Sequence, residues 1–199
     1  AIGELQVVQA FGNRTHNKTG YLPAAGPAPK SVDWEQWIGP VRMHPYNPDY
    51  LIGKPGANCL QWNMYHDFGS WQVGDMGSHT MDLAWNAIDA GAPVSASASG
   101  DPFHPEICPS DHHAIFSIPA NDWRGEIRLD WYQGTLKPES PHRAIDIAKV
   151  GHGVMFTGSK GVLIADFRSR MLLPAVEGAD MTYYDAPSTD EIAGPHGNF

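Results

Sequence analysis

His79 follows Asp75 by four residues in the run Gly74-Asp75-Met76-Gly77-Ser78-His79-Thr80-Met81-Asp82, a helix-spaced grouping of proton-handling side chains. An imidazole titrates near neutral pH, so His79 can take a proton from an alcohol as hydride leaves its carbon. Asp75 can hold and polarise that ring, because i, i+4 partners on a helix lie ~5 to 6 Å apart between Cβ atoms. The plainer alternative makes Asp75 a helix cap and His79 an ordinary histidine. Asp82 extends the same stripe, where an aspartate is usually just solvated. A metal site is the sharper rival: His79 with Asp75 or Asp82, joined by His66, Asp67, His112 or His113, would supply nitrogen and oxygen ligands. No HExxH or comparable spacing supports it, and no metal is expected.

Substrate-facing candidates come from the segments leading to this run. Trp62, Tyr65 and Trp71 lie directly upstream of it and offer ring faces on which a pyranose can stack, although buried rings more often staple a loop to its sheet. Arg14, where the first strand ends, can bind an anionic or hydroxylated group; a surface arginine is the commoner explanation. Asn13-Arg14-Thr15 and Asn17-Lys18-Thr19 fit the glycosylation sequon, a pattern short enough to arise by chance. The chain has no Gly-rich turn between strand and helix, no P-loop and no GxSxG elbow.

The elements that must position these residues are legible in part. Leu5 to Phe11 is rich in strand formers and exits at Gly12-Asn13-Arg14. From Thr15 to about Gln72 seven prolines interrupt any periodicity, leaving a long aromatic, Pro-rich loop with one helical turn at Asp33 to Trp37. Such a loop is functional or a linker, and its aromatic content argues against a linker. Gly74 to Ile88 has helical spacing and is expected to stop at Gly91 before Pro93. Met81, Ala84, Trp85 and Ile88 gather on its packing stripe with Gly77, while Asp75, His79 and Asp82 fall roughly 130° away. Period two then takes over: Val94 to Ser99, Ala114 to Ile118 and Glu126 to Tyr132 read as strands. Gly153 to Thr157 and Val162 to Ala165 read as a hairpin with a four-residue loop, Gly158-Ser159-Lys160-Gly161. The tail from Pro187 has no strong pattern.

This order predicts an α+β fold, a mostly antiparallel open sheet with a helix packed on one face, and a single domain over residues 1–199. Ile127, Leu129 and Trp131 share one face of their strand and are expected to compete for cover, making the sheet an association surface for a homo-oligomer. Thirteen basic against 22 acidic residues give a net charge of -9, which disfavours nucleic acid. No apolar run approaches the ~20 residues of a membrane span. Cys59 and Cys108 lie in no metal-like spacing and are expected to be small buried hydrophobes.

The motif Gly74-Asp75-Met76-Gly77-Ser78-His79-Thr80-Met81-Asp82 resembles the GDMGxHxxD signature of the Gfo/Idh/MocA (glucose-fructose oxidoreductase-like) family. Upstream, Val32-Asp33-Trp34, Trp37-Ile38-Gly39-Pro40 and Pro45-Tyr46-Asn47-Pro48 resemble the loop of a bacterial subgroup acting on sugars and glycosides. Asp67-Phe68-Gly69 and the Asn13-Arg14 strand end extend the resemblance over roughly Ile2 to Pro174. It implies that this chain is the substrate-side, C-terminal domain of an NAD- or NADP-dependent oxidoreductase, with a Rossmann domain ahead of it. It also implies that Asp75 and His79 work with a lysine from an EKP-type segment of that other domain. Neither the segment nor the Rossmann fingerprint is in this sequence, so no cofactor is expected on this chain alone. The rival readings are a stand-alone binding or oligomerisation module, which has no need of the Asp75/His79 pair, and a metal-assisted lyase or hydratase acting on oxidised sugars.

Overall fold

In a computed structural model of the chain, describing residues 2–52, 61–143 and 145–174, the fold is α+β, built on one open seven-stranded sheet. The first strand, β1, spans Leu5–Phe11. A short helix, α1, at Trp34–Ile38 lies where one helical turn was expected, and it starts where the Asp33 carboxylate accepts the Gln36 N–H as an N-cap. Then come 3-10 turns at Pro48–Leu51 and Gln61–Met64, and two helices, α2 (Trp71–Gly74) and α3 (Gly77–Ala87). Six strands follow: β2 Ser95–Gly100, β3 His112–Ile118, β4 Ile127–Gln133, β5 Gly153–Gly158, β6 Gly161–Ala165 and β7 Arg170–Pro174. Their order is β2-β3-β4-β1-β5-β6-β7, antiparallel throughout except for β1 beside β4. That one parallel contact puts β1 at the centre of the sheet.

Alternation along the strands sorts the side chains. Val8, Ala10, Ile127, Leu129, Trp131 and Val154 are fully buried in the core that also holds Ala84 and Ile88 of α3. This corrects one expectation: Ile127, Leu129 and Trp131 do not compete for cover, because α3 lies on their face. The opposite face buries Phe11, Met155 and Ile164 beneath Ile147 and its neighbours. Elsewhere on that face Arg128 is exposed, and Val7, Ile115 and Thr157 are partly so.

Two helix expectations also need correction. The helix expected from Gly74 is split: the α2 ladder closes when the Asp75 N–H bonds to the Trp71 carbonyl, and a new ladder begins at Met76, whose carbonyl takes the His79 and Thr80 N–H groups. Asp75 therefore lies in a junction and not on the face of α3. The stop comes before Gly91. Asp89, at φ 48°, holds the left-handed position, with Asp89 N–H on the Asn86 carbonyl and Ala90 N–H on that of Trp85. Arg124 makes this end possible: its Nε donates to the Ile88 carbonyl at 2.6 Å, while Asn121 donates to Asp89.

The described parts of the long loop are packed together by their rings. Tyr50, Met64, Tyr65, Trp71, Ile107 and Cys108 form a second core, with Trp34 stacked on Trp37 at 4.6 Å on its margin. Gly69 is required there, because a Cβ would come within 2.7 Å of the Asn63 carbonyl oxygen. Strand β7 was not expected; its alternation is short and ends on proline. Cys108 is buried as expected, while Cys59 and the tail from Pro187 fall outside the described residues.

Candidate functional site

The site is assembled where β1 leaves the sheet. Gly12 still donates its N–H to the Tyr132 carbonyl at 2.9 Å, and the chain then turns out through Asn13 and Arg14. Arg14 reaches the α2/α3 junction, where its Nη1 donates to Asp75 Oδ2 at 2.6 Å. The carboxylate is the more enclosed partner, with its side chain 11% exposed against 32% for Arg14. The Ser78 hydroxyl donates to the Asp75 carbonyl at 2.5 Å, tying the junction to the first turn of α3.

Beside this ion pair lies a group of buried polar atoms. Gln72 is fully buried, and neither its amide nitrogen nor its amide oxygen has a protein partner; His152 Nδ1 is likewise buried and unmatched. A Cβ on Gly12 would stand 3.0 Å from His152 Nδ1 and 3.4 Å from Gln72 Oε1, so the glycine leaves both side chains their space. Lys137 donates from Nζ to the Gly12 carbonyl at 2.6 Å. Burial pushes the Lys137 ammonium down to about 8, with Asp111 opposing it. Burial also pushes the His152 imidazole down to about 4, helped by the Arg14 and Lys137 charges and opposed by Asp75. At neutral pH His152 is therefore a neutral ring, and Lys137 titrates close to the working range.

Two clefts open from the adjoining residues Asn13 and Arg14. The larger, about 330 Å³, is lined by Arg14, His16, Lys18, Gln61 and Trp71 among others. The smaller, about 240 Å³, is lined by Asn13, His152, Asp166, Phe167 and Arg168 with Val150 and Gly151. His79 is partly buried on α3, and its ring meets Phe167 edge to face at 6.0 Å. That contact places the histidine next to a wall of the smaller cleft.

The other sequence candidates are distributed differently. Trp71 lines the larger cleft with its backbone at φ 53°, a conformation that is uncommon for a bulky residue and clusters at functional sites. Trp62 packs edge-on to Trp37 at 6.5 Å, in the loop. Tyr65 is 1% exposed within the aromatic core, and its hydroxyl is buried and pushed up to about 12 by that burial. Asp82 accepts the Asn86 side-chain amide at 2.8 Å, one turn along α3. The residues of the metal alternative are parcelled into separate pairs: Asp67 with His44, His113 with Asp130, and His66 beside the Cys108 sulfur. Among the described residues no three His, Cys, Asp or Glu side chains converge as a metal site.

Sequence reasoning missed Gln72, Lys137 and His152. His152 carries a local signal, a histidine between two glycines at the start of a strand, Gly151-His152-Gly153. Gln72 and Lys137 carry none, since only the chain's path brings them to Gly12.

No protein-family model matches the chain, and no curated protein matches it. Among solved structures, it is similar to a protein of Magnetospirillum magnetotacticum MS-1 provisionally named an oxidoreductase, at 14% identity and a TM-score of 0.38, over 90% of this chain. The match spans 39% of that protein's length.

Proposed function

We propose that the chain is the substrate-binding part of an NAD- or NADP-dependent oxidoreductase that acts on a hydroxyl of a sugar or glycoside, and that His79 accepts the hydroxyl proton. The observation that carries the reading is the Arg14–Asp75 ion pair at 2.6 Å, which fastens the exit of β1 to the junction leading into His79. It joins two of the segments, Asn13-Arg14 and Gly74 to Asp82, on which the resemblance to Gfo/Idh/MocA oxidoreductases rests. The paired carboxylate fixes the start of α3, and so the base of the helix that carries His79. The neutral His152 and the titratable Lys137 add proton-handling groups beside the same pair.

The described residues do not fit a dinucleotide. A pyrophosphate needs helix N–H groups at the end of a Gly-rich turn, and the start of α3 is preceded by the Asp75 carboxylate instead. The cofactor therefore belongs, in this reading, to a Rossmann domain outside this sequence. The expected homo-oligomer would use the sheet face opposite α3, where Arg128 is exposed and Ile115 partly so.

The test is a hydride-transfer assay on the full-length natural protein, with NAD⁺ and NADP⁺ against a panel of aldoses, aldonates, uronates and glycosides. Reduction of either nucleotide with one of these supports the reading. Absence of turnover across the panel with a folded, nucleotide-binding protein overturns it.

A further inference from the structure

Two groups in the larger cleft have opposite hydrogen-bonding needs. The Trp71 side chain is 95% enclosed, at 5% exposure, and its Nε1–H meets no protein acceptor. His16 stands edge to face against it at 5.1 Å. The His16 Nε2 lies 2.9 Å from the Cys108 carbonyl, which can only accept, so Nε2 carries the proton. Burial lowers the pKa of this ring, against weaker opposing pulls from the Cys108 carbonyl and Asp101. The remaining nitrogen, Nδ1, is thus a bare acceptor, and it too is buried without a partner. An unmatched donor and an unmatched acceptor on two touching residues that both line the cleft suit a group that both accepts and donates, which is a hydroxyl.

The charge of the cleft adds a second requirement. Arg14 and Lys18 line it and, among the described residues, no carboxylate does, in a chain whose net charge is -9. The Arg14 charge is already balanced by Asp75, but Lys18 makes no ion pair among the described residues. An acidic protein that keeps a cationic cleft is arranged for an anionic group.

We propose that this cleft is a subsite for a polyhydroxylated carboxylate, a sugar acid of the aldonate or uronate class, with Lys18 and the free N–H groups of Arg14 on the carboxylate and the Trp71/His16 pair on a hydroxyl. This narrows the substrate class of the sugar-oxidoreductase reading and rests on it. A neutral sugar satisfies the hydroxyl requirement alone; a simple carboxylate satisfies the charge alone.

Calorimetric titration of the full-length protein with D-gluconate, D-glucuronate, D-glucose and acetate separates these cases. A charge-assisted contact at a partly buried site carries roughly tenfold in affinity, so at least one sugar acid is expected to bind about tenfold more tightly than either glucose or acetate. Lys18→Gln should bring the acid-to-glucose ratio close to one, and Lys18→Arg should restore it. Equal binding of glucose and the sugar acids, or a ratio unmoved by Lys18→Gln, overturns the subsite while leaving the sugar reading intact. Acetate binding as well as gluconate overturns the hydroxyl assignment. If no saccharide binds and the panel assay above shows no turnover with a folded, nucleotide-binding protein, both fall.

Discussion

Arg14 and Asp75, separated by 61 positions in sequence, meet at 2.6 Å and convert the end of a central strand and the start of a helix into one rigid corner. Removing the cation leaves a carboxylate that is mostly enclosed with no opposite charge. Arg14→Met should cost about 2 kcal/mol, below the range for fully buried pairs because a third of the arginine side chain is in solvent. For a chain of this size that is roughly 4 to 8 °C in Tm, readable by calorimetry. Asp75→Asn, which keeps the shape and removes the stranded charge, should cost less. Equal losses for the two variants would mean that packing, and not the charge pair, holds the corner.

His79→Ala in the full-length protein should lower kcat by ~10² to 10⁴ with nucleotide affinity nearly unchanged, the usual contribution of a positioned general base. Steady-state kinetics on the substrate found in the panel assay decides it. Turnover close to that of the natural protein would remove His79 from the chemistry.

His152 makes stability depend on pH with a definite sign. Unfolded, its ring takes a proton near the ordinary value of 6.5; folded, burial delays this to about 4. Between those values the unfolded state binds more protons, so the contribution is complete above about pH 6.5 and drains away as pH falls toward 4. At ~1.4 kcal/mol per pH unit the loss reaches about 3 kcal/mol, and His16 and His112, also lowered by burial, act in the same direction. Urea denaturation at pH 7, 6, 5 and 4.5 should show a shallower decline for His152→Gln than for the natural chain. Parallel curves would show that His152 is not shielded.

Gly69→Ala should destabilise by about 1 to 3 kcal/mol, since the added methyl meets backbone that cannot rotate away. Gly26→Ala is a useful control for steric crowding, because nothing lies within 4 Å of its Cβ position, although its φ of 106° carries a conformational cost of its own. Thermal melts of the two should separate crowding from strain.

The sequence by itself determined what local sterics and side-chain period determine. The strand formers of Leu5 to Phe11, the alternation of Ile127 to Tyr132 and the helical turn after Asp33 each depend on groups a few residues apart, and each is where the pattern put it; the hairpin is too, but its turn is the two residues Ser159-Lys160 and not four, because Gly158 and Gly161 pair in the ladder. The same is true of the packing stripe Ala84/Ile88, because a helix repeats its face every few residues whatever lies opposite. The tertiary structure decided what depends on partners far along the chain. The helix expected to run through Asp75 breaks at it, and the arginine of another segment takes its carboxylate. The C-terminus of α3 closes on Asp89 and not at Gly91, with Arg124 on its carbonyls. Gln72, Lys137 and His152 became neighbours of Gly12 only because β1 and β5 pair and the loop folds back over them. Periodicity records which face a residue takes; it does not record which distant charge or ring will be waiting there.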